Sequence, residues 1–119
     1  MKVIIAGGRD FKDFALLCKQ CDNIIDKVAY FDIEIVSGTA NGADKLGEQY
    51  AMVKGHIVEK FPANWDKHGK SAGYIRNEEM AKYADCLIAF WDGKSRGTKH
   101  MIDLASKHNL KIRVIKYKK

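Results

Sequence analysis

The stretch Asp85-Cys-Leu-Ile-Ala-Phe-Trp-Asp-Gly-Lys-Ser-Arg-Gly-Thr-Lys-His-Met101 decides how the rest of the chain is read. Cys86 to Phe90 is an apolar run of the length and composition of a buried strand. Trp91 to Gly97 is a Gly/Ser/Arg loop. Helical spacing resumes at Thr98, with Met101, Ile102 and Ala105 on one face. A strand, a glycine loop and a helix start present free backbone N–H groups at the positive end of a helix dipole, a recipe for holding an anion such as phosphate. Lys94, Ser95 and Arg96 add charge and a hydroxyl at the same place. An ordinary strand-to-helix turn, with Thr98 near the helix start as a cap, explains the same residues. The stretch alone leaves both readings open.

The remaining segments repeat the strand-then-helix order. Lys2 to Ala6 reads as a strand ended by Gly7-Gly-Arg-Asp-Phe11, and residues 13–30 read as a helix. Its apolar positions Phe14, Leu17, Cys18, Cys21, Ile24, Ile25 and Val28 recur at three- and four-residue steps. Ile33 to Val36 is a second strand, followed by Ser37-Gly-Thr-Ala-Asn-Gly-Ala-Asp44. A helix then runs to about Lys54, with Ala43, Leu46, Gly47 and Tyr50 inward and Gly55 as its stop. His56 to Phe61 is a third strand, Pro62 to Ala72 an irregular piece holding Trp65, and Gly73 to Tyr83 a helix. After the Cys86 strand, the last helix ends near His108-Asn109, and Lys111 to Ile115 is a fifth strand.

This alternation predicts an α/β, Rossmann-like three-layer fold of about five mostly parallel strands flanked by helices, in one domain over residues 1–119. In such sheets ligands bind outside the carboxyl ends of the strands. Gly7–Phe11, Ser37–Asp44, Pro62–Ala72 and Trp91–Thr98 each follow a strand and so open on one edge, while the opposite connections are short. No internal repeat or low-complexity segment interrupts the pattern.

Bulk composition narrows the class. A chain of 119 residues with 46% hydrophobic content and one proline can bury about two-thirds of its unfolded surface in a compact fold. No apolar run approaches the ~18 residues that span a bilayer, and the apolar start is too short for a secretory signal. Three cysteines, Cys18, Cys21 and Cys86, make no disulfide framework, so a cytoplasmic setting is expected. The net charge of +6 and a pI near 9.2 invite a nucleic-acid reading. The tail Lys111–Lys119 nevertheless holds five of the 21 basic residues. Arginine placement says more: Arg9, Arg76 and Arg96, three of the four arginines, lie beside glycine-rich segments. The guanidinium fork suits phosphate better than a solvated ammonium does.

Individual motifs each carry two readings. Ser37-Gly38-Thr39-Ala40-Asn41-Gly42 offers glycines, hydroxyls and a helix start that could cradle a phosphate or ribose, yet it is neither a Walker loop nor a G-x-G-x-x-G fingerprint. Asp44 could hold ribose hydroxyls or simply favour the helix dipole. Gly7 and Gly8 could let a ligand approach the backbone, with Arg9 as phosphate partner, while Phe11 reads as core more than as a stacking face. Asp92 beside Gly93 is a turn residue by default, with a catalytic or ribose-binding role as the alternative. Trp65 and Trp91 lie in site-side loops and could stack on a base or pack in the core. Cys18-Lys-Gln-Cys21 falls on a helix stripe, which reads as buried structural thiols rather than a redox or zinc motif. The four histidines show no metal spacing. Neither a metal nor a cofactor is expected.

Taken together, Gly7–Phe11, Ser37–Asp44, Phe61-Pro-Ala-Asn-Trp65, Gly73-Tyr-Ile-Arg-Asn77 with Met80, and Trp91–Thr98 resemble the SLOG superfamily, named for the Smf/DprA and Lonely Guy proteins. The resemblance covers nearly the whole chain and points to the short stand-alone branch related to YspA and YpsA, whose relatives are similar to many phage and plasmid proteins. It implies a Rossmann-like sheet with a pocket for nucleotides or nucleotide-derived ligands. In Lonely Guy phosphoribohydrolases the counterpart of Arg76–Met80 carries an arginine used in N-glycosidic cleavage. Their counterpart of Gly97-Thr98 belongs to a Pro-Gly-Gly-x-Gly-Thr-x-x-Glu motif with a catalytic glutamate. Met101 stands where that glutamate should be, and Trp91-Asp92-Gly93 replaces the Pro-Gly-Gly.

The leading expectation is therefore a domain that binds a nucleotide-derived small molecule, as a sensor or sequestering module. Its ligand-binding residues would be Gly7, Gly8, Arg9, Ser37, Gly38, Thr39, Asp44, Arg76, Asn77, Gly93, Ser95, Gly97 and Thr98. The enzyme alternative is a hydrolase of an N-glycosidic or phosphate bond, with Arg76, Asp92 and Asp10 as catalytic candidates. The third reading is DprA-like single-stranded DNA binding, which the basic charge fits but for which no aromatic-plus-basic strip is evident. Homo-oligomer formation is left open, and no membrane partner is expected.

Overall fold

The computed structural model of the protein describes residues 1–26 and 32–118. Five strands, β1 (Lys2–Gly7), β2 (Glu34–Ser37), β3 (Ile57–Lys60), β4 (Cys86–Trp91) and β5 (Lys111–Lys116), form one sheet in the order β3-β2-β1-β4-β5. All four pairings are parallel, with Val3 opposite Ile35 on one side and Cys86 on the other. The helices are α1 (Phe14–Ile25), α2 (Ala43–Lys54), α3 (Trp65–His68), α4 (Ala72–Tyr83) and α5 (Arg96–Lys107). Among the described residues, no helix is long and apolar enough to cross a membrane.

The expected three-layer α/β architecture is what these elements build. Successive strand residues point to opposite faces, and the core divides accordingly. Val3, Ile5, Ile35, Ile88 and Phe90 pack with Leu17 and Cys21 of α1 and Ala43, Tyr50 and Ala51 of α2. Ile4, Ala6, Val36, Leu87 and Ala89 pack with Met80 and Ala81 of α4 and Met101 and Ala105 of α5. Burial on both faces explains why β1 and β4 read as continuous apolar runs rather than alternating ones. Phe11 is core, stacked at 4.8 Å on Phe90 and edge-on at 4.8 Å to Tyr117. The thiols of Cys18, Cys21 and Cys86 are all pushed above the ordinary value, chiefly by burial, which makes them poor nucleophiles.

Two departures from expectation bear on the site. The piece expected to be irregular, Pro62 to Ala72, contains α3 and a 3-10 turn over Gly69–Ser71 before α4 begins at Ala72. A single turn is too short to show a helical period. Asn64 caps it, its side chain accepting the Lys67 N–H at 3.1 Å. The last helix starts at Arg96 rather than Thr98, because Ser95 is the cap and its hydroxyl accepts the Thr98 N–H at 3.4 Å. Val28 and the expected connection at Tyr30-Phe31 lie outside the described residues.

The chain leaves β1 toward α1 on one face and leaves β4 toward α5 on the other. Neighbouring strands that send their connections to opposite faces leave a crevice at their carboxyl ends. The β1–β4 seam is that place here.

Candidate functional site

Four segments reach the seam, each held by its own backbone economy. After β1, Gly7 and Gly8 run against the core. A Cβ on Gly7 would stand 2.2 Å from the Phe90 carbonyl oxygen, and one on Gly8 would stand 1.8 Å from the Tyr117 hydroxyl. Backbone packing demands glycine at position 7, whereas bulk at position 8 would press on the ends of the Tyr117 and Asp10 side chains. The Gly8 N–H donates to Phe90 O at 3.0 Å, and its carbonyl accepts from Phe11 N and Ala43 N, both at 3.2 Å. This turn projects Arg9, which is exposed, into the crevice.

After β2, Ser37 is fully buried. Its hydroxyl donates to Glu48 Oε2 at 2.6 Å and accepts from the Thr39 N–H at 3.1 Å. Thr39 is held at φ 66°, a left-handed conformation unusual for a β-branched residue. The Asp44 carboxylate accepts the Ala40 N–H at 3.2 Å, closing the loop from inside α2. A Cβ on Gly38 would stand 2.7 Å from Asp44 Oδ2 and 3.0 Å from Arg76 Nη1. Burial pushes the Asp44 pKa up to about 6, against the pull of the Ala40 N–H and the Arg76 guanidinium, with Glu48 adding to the rise.

From α4, half-buried Arg76 donates through Nη1 to the Gly38 carbonyl and through Nε to Asn77 Oδ1 at 3.0 Å. Its pKa is lowered mainly by burial and further by Arg9, while Asp44 opposes the shift. Asn77 in turn reaches α5, with Nδ2 3.2 Å from His100 Nδ1 and 3.5 Å from Gly97 O.

After β4, Asp92 Oδ1 accepts from Lys94 N and Ser95 N, both at 2.8 Å. Asp92 thus serves the turn that positions Ser95. Trp91 Nε1 donates to Ser95 O at 3.1 Å. The first two amides of α5, at Arg96 and Gly97, have no intrahelical partner by construction. A Cβ on Gly97 would meet nothing within 4 Å.

These segments enclose a cavity of about 580 Å³, lined by Gly8, Arg9, Asp10 and Arg76 together with Asn77, Asp92, Ser95 and Gly97. Its outer wall is Trp65, Lys70, Gly73 and Tyr74. A second lobe of about 370 Å³ shares Arg9, Trp65 and Arg76 and adds Gly38, Thr39, Asn41 and Pro62. An inner recess of about 90 Å³ holds Asp44, Thr98 and Met101. Both main lobes fall within the size range of small-ligand pockets.

Most of the expected site residues therefore converge: Gly8, Arg9, Gly38, Thr39, Arg76, Asn77, Ser95 and Gly97 line the two lobes. Gly7, Asp44 and Thr98 lie deeper, at the inner recess. Ser37, which is bonded to Glu48, and Gly93 line none of these spaces. Of the acidic candidates, Asp10 accepts the Tyr117 hydroxyl at 2.6 Å. Met101 is 2% exposed and packs in the α4–α5 core. Lys70 and Tyr74 were not singled out by motif. Tyr74 sits inside Gly73-Tyr-Ile-Arg-Asn77 and had a signal, whereas Lys70 had none. Among the described residues, no group of three or more histidine, cysteine, aspartate or glutamate side chains could hold a metal ion.

Comparison with known proteins bears on the family and the fold. Residues 1–68 match the family described as the YspA, cpYpsA-related SLOG family. The chain is 33% identical over 117 residues to the Gene 61 protein of Mycobacterium phage D29, with 93% of each chain covered. Among solved structures it is similar to DNA processing protein A from Helicobacter pylori, a protein described for its single-stranded DNA binding mode. That likeness has a TM-score of 0.69 at 22% identity and covers 96% of this chain. It is a likeness of fold, and this chain spans 64% of the length of that one.

Proposed function

Because this chain belongs to the YspA, cpYpsA-related SLOG family, we propose that it binds a nucleotide or nucleotide-derived ligand in the crevice at the β1–β4 seam. One observation carries the reading. Arg9 from the β1 turn, Arg76 from α4 and the open amides of α5 at Gly97 converge on one cavity of about 580 Å³. Guanidinium groups and a helix start both favour phosphate oxygens. Arg76 is already tethered through Nε and Nη1, so it meets a ligand pre-positioned and loses little freedom on binding.

The proposal is binding without turnover. An oxocarbenium-like transition state needs a carboxylate at the reacting carbon. A buried thioether fills position 101, the Asp92 carboxylate is engaged by two loop amides, and that of Asp10 by Tyr117. Calorimetry with adenosine and cytidine mono- and diphosphates tests the reading, and saturating ligand at ~100-fold over Kd should raise stability by about 2.7 kcal/mol. Loss of the signal in Arg76→Ala is expected. Free base appearing after long incubation, above the Arg76→Ala background, would replace binding with hydrolysis.

A second reading, single-stranded DNA binding, draws on two neighbouring lobes that share Arg9, Trp65 and Arg76. The net charge of +6 suits a nucleic-acid strand, and the Helicobacter pylori protein of the same fold is described as a single-strand binder. Oligonucleotide retention that falls steeply with salt, without mononucleotide binding, would favour it.

A further inference from the structure

Trp65 is a large aromatic side chain left 52% exposed at the first position of α3. Cores and interfaces normally cover such a ring. Here its surroundings are the crevice itself: Trp65 lines both the 580 Å³ lobe and the 370 Å³ lobe, and so do Arg9 and Arg76. Gly73 lies beside both ring and cation. A Cβ placed there would stand 3.7 Å from Trp65 Cη2 and 3.7 Å from Arg76 Nη2. The benzo edge of the indole and the guanidinium thus flank the same side of the first turn of α4, where glycine adds no side chain. The indole does not hang on a loose loop, because Asn64 caps α3 directly beneath it.

Resting on the nucleotide reading above, we infer that Trp65 is the base-stacking platform of the crevice, holding the flat face of a nucleobase whose phosphate reaches Arg9 and Arg76. A base offers a π face and an indole offers another, and such stacking tolerates any base. The amphipathic ligand is matched part by part: its flat apolar portion lies on Trp65 and its anionic portion on the two arginines. Gly73 keeps the gap wide enough for the two to be joined through a sugar. Bulk at position 73 would project between indole and guanidinium, the space that such a sugar would cross.

The test is calorimetric titration of wild type, Trp65→Ala, Trp65→Phe and Gly73→Leu with two probes, adenosine 5′-monophosphate and ribose 5-phosphate. Trp65 is exposed enough that its replacement leaves the fold intact. Trp65→Ala should weaken the nucleotide on the order of 10- to 100-fold and leave ribose 5-phosphate within about 2-fold of wild type. Trp65→Phe should keep most of the nucleotide affinity, and Gly73→Leu should lose it. If Trp65→Ala binds both probes as wild type does, the platform is refuted while the anion site stands. If wild type binds neither probe, the nucleotide reading itself fails and the platform with it.

Discussion

Two strand–loop–helix junctions meet at the crevice, and they use glycine for opposite reasons. At the start of α2 the backbone is packed on other backbone. Gly42 sits at φ 80°, and a Cβ there would lie 2.2 Å from Gly8 O and 2.6 Å from the Arg9 carbonyl carbon. Asp44, Ala40, Gly38 and Arg76 then tie the loop shut. At the start of α5 the cap is one serine, and Gly97 stands in open space. The first junction is a structural weld between the β1 and β2 loops, and the second is a surface kept bare. A glycine-rich motif read from sequence does not distinguish these uses, because both produce the same letters.

Substitutions should separate the two junctions sharply. Gly42→Ala combines a left-handed backbone with a clash against two carbonyl groups, so it should cost roughly 4 kcal/mol or prevent folding outright, read as the urea midpoint. An unchanged midpoint would mean that the weld is not needed. Next in size is Arg76→Ala, which removes the donors to Gly38 O and Asn77 Oδ1 and should destabilise by about 2 kcal/mol even without ligand. Arg76→Lys should recover little of this, since one ammonium cannot span both acceptors. Recovery to the wild-type midpoint by lysine would reduce Arg76 to a point charge.

Asp44 gives a smaller, pH-dependent effect. Its folded pKa of about 6 lies above the ordinary 3.8, so folding favours its protonated form. The groups facing it are Arg76, Glu48 and the amides of Ala40 and Gly7. Stability contributed by the neutral carboxyl is present at low pH and is lost as pH rises through about 6. Relative to Asp44→Asn, wild type should lose about 1 kcal/mol between pH 5 and pH 7. Parallel urea curves for the two proteins across that window would show that the carboxyl is solvated rather than buried. The smallest effect belongs to the open junction. Gly97→Ala fits the helix and meets nothing, so it should leave stability unchanged or raise it by about 0.5 kcal/mol. A loss of more than ~1 kcal/mol would contradict the bareness of that surface.

How far the fold could be read in advance depended on whether each feature is local. The alternation of apolar runs and amphipathic stretches is local, so the parallel sheet, its loaded edge and the core role of Phe11 were legible. The strand order was not, because nothing within Lys2–Gly7 says that β4 lies beside it. Of the residues lining the crevice, Arg9, Arg76 and Gly97 stand in motifs visible in the sequence. The closure of the Ser37–Asp44 loop by Asp44 and Arg76 is not visible there, since it joins residues on different helices. The loop that carries Trp65 is visible in the sequence, but its exposure beside Gly73 depends on α3, one turn that leaves no periodic trace.

The central position of β1 also bears on how the molecule assembles. β1 needs β4 as its neighbour, and the Lys2 N–H reaches the Asp85 carboxylate across 83 residues of chain. Non-local pairing of this kind is slow, because loop-closure entropy must be overcome before the contacts form. Arg9 and Arg76 stand on opposite sides of that late step. Half a chain emerging from a ribosome carries one arginine of the pair and no crevice between them. A ligand that needs both therefore cannot engage an early intermediate. It would instead hold the two halves together after they meet, slowing their separation rather than speeding their encounter.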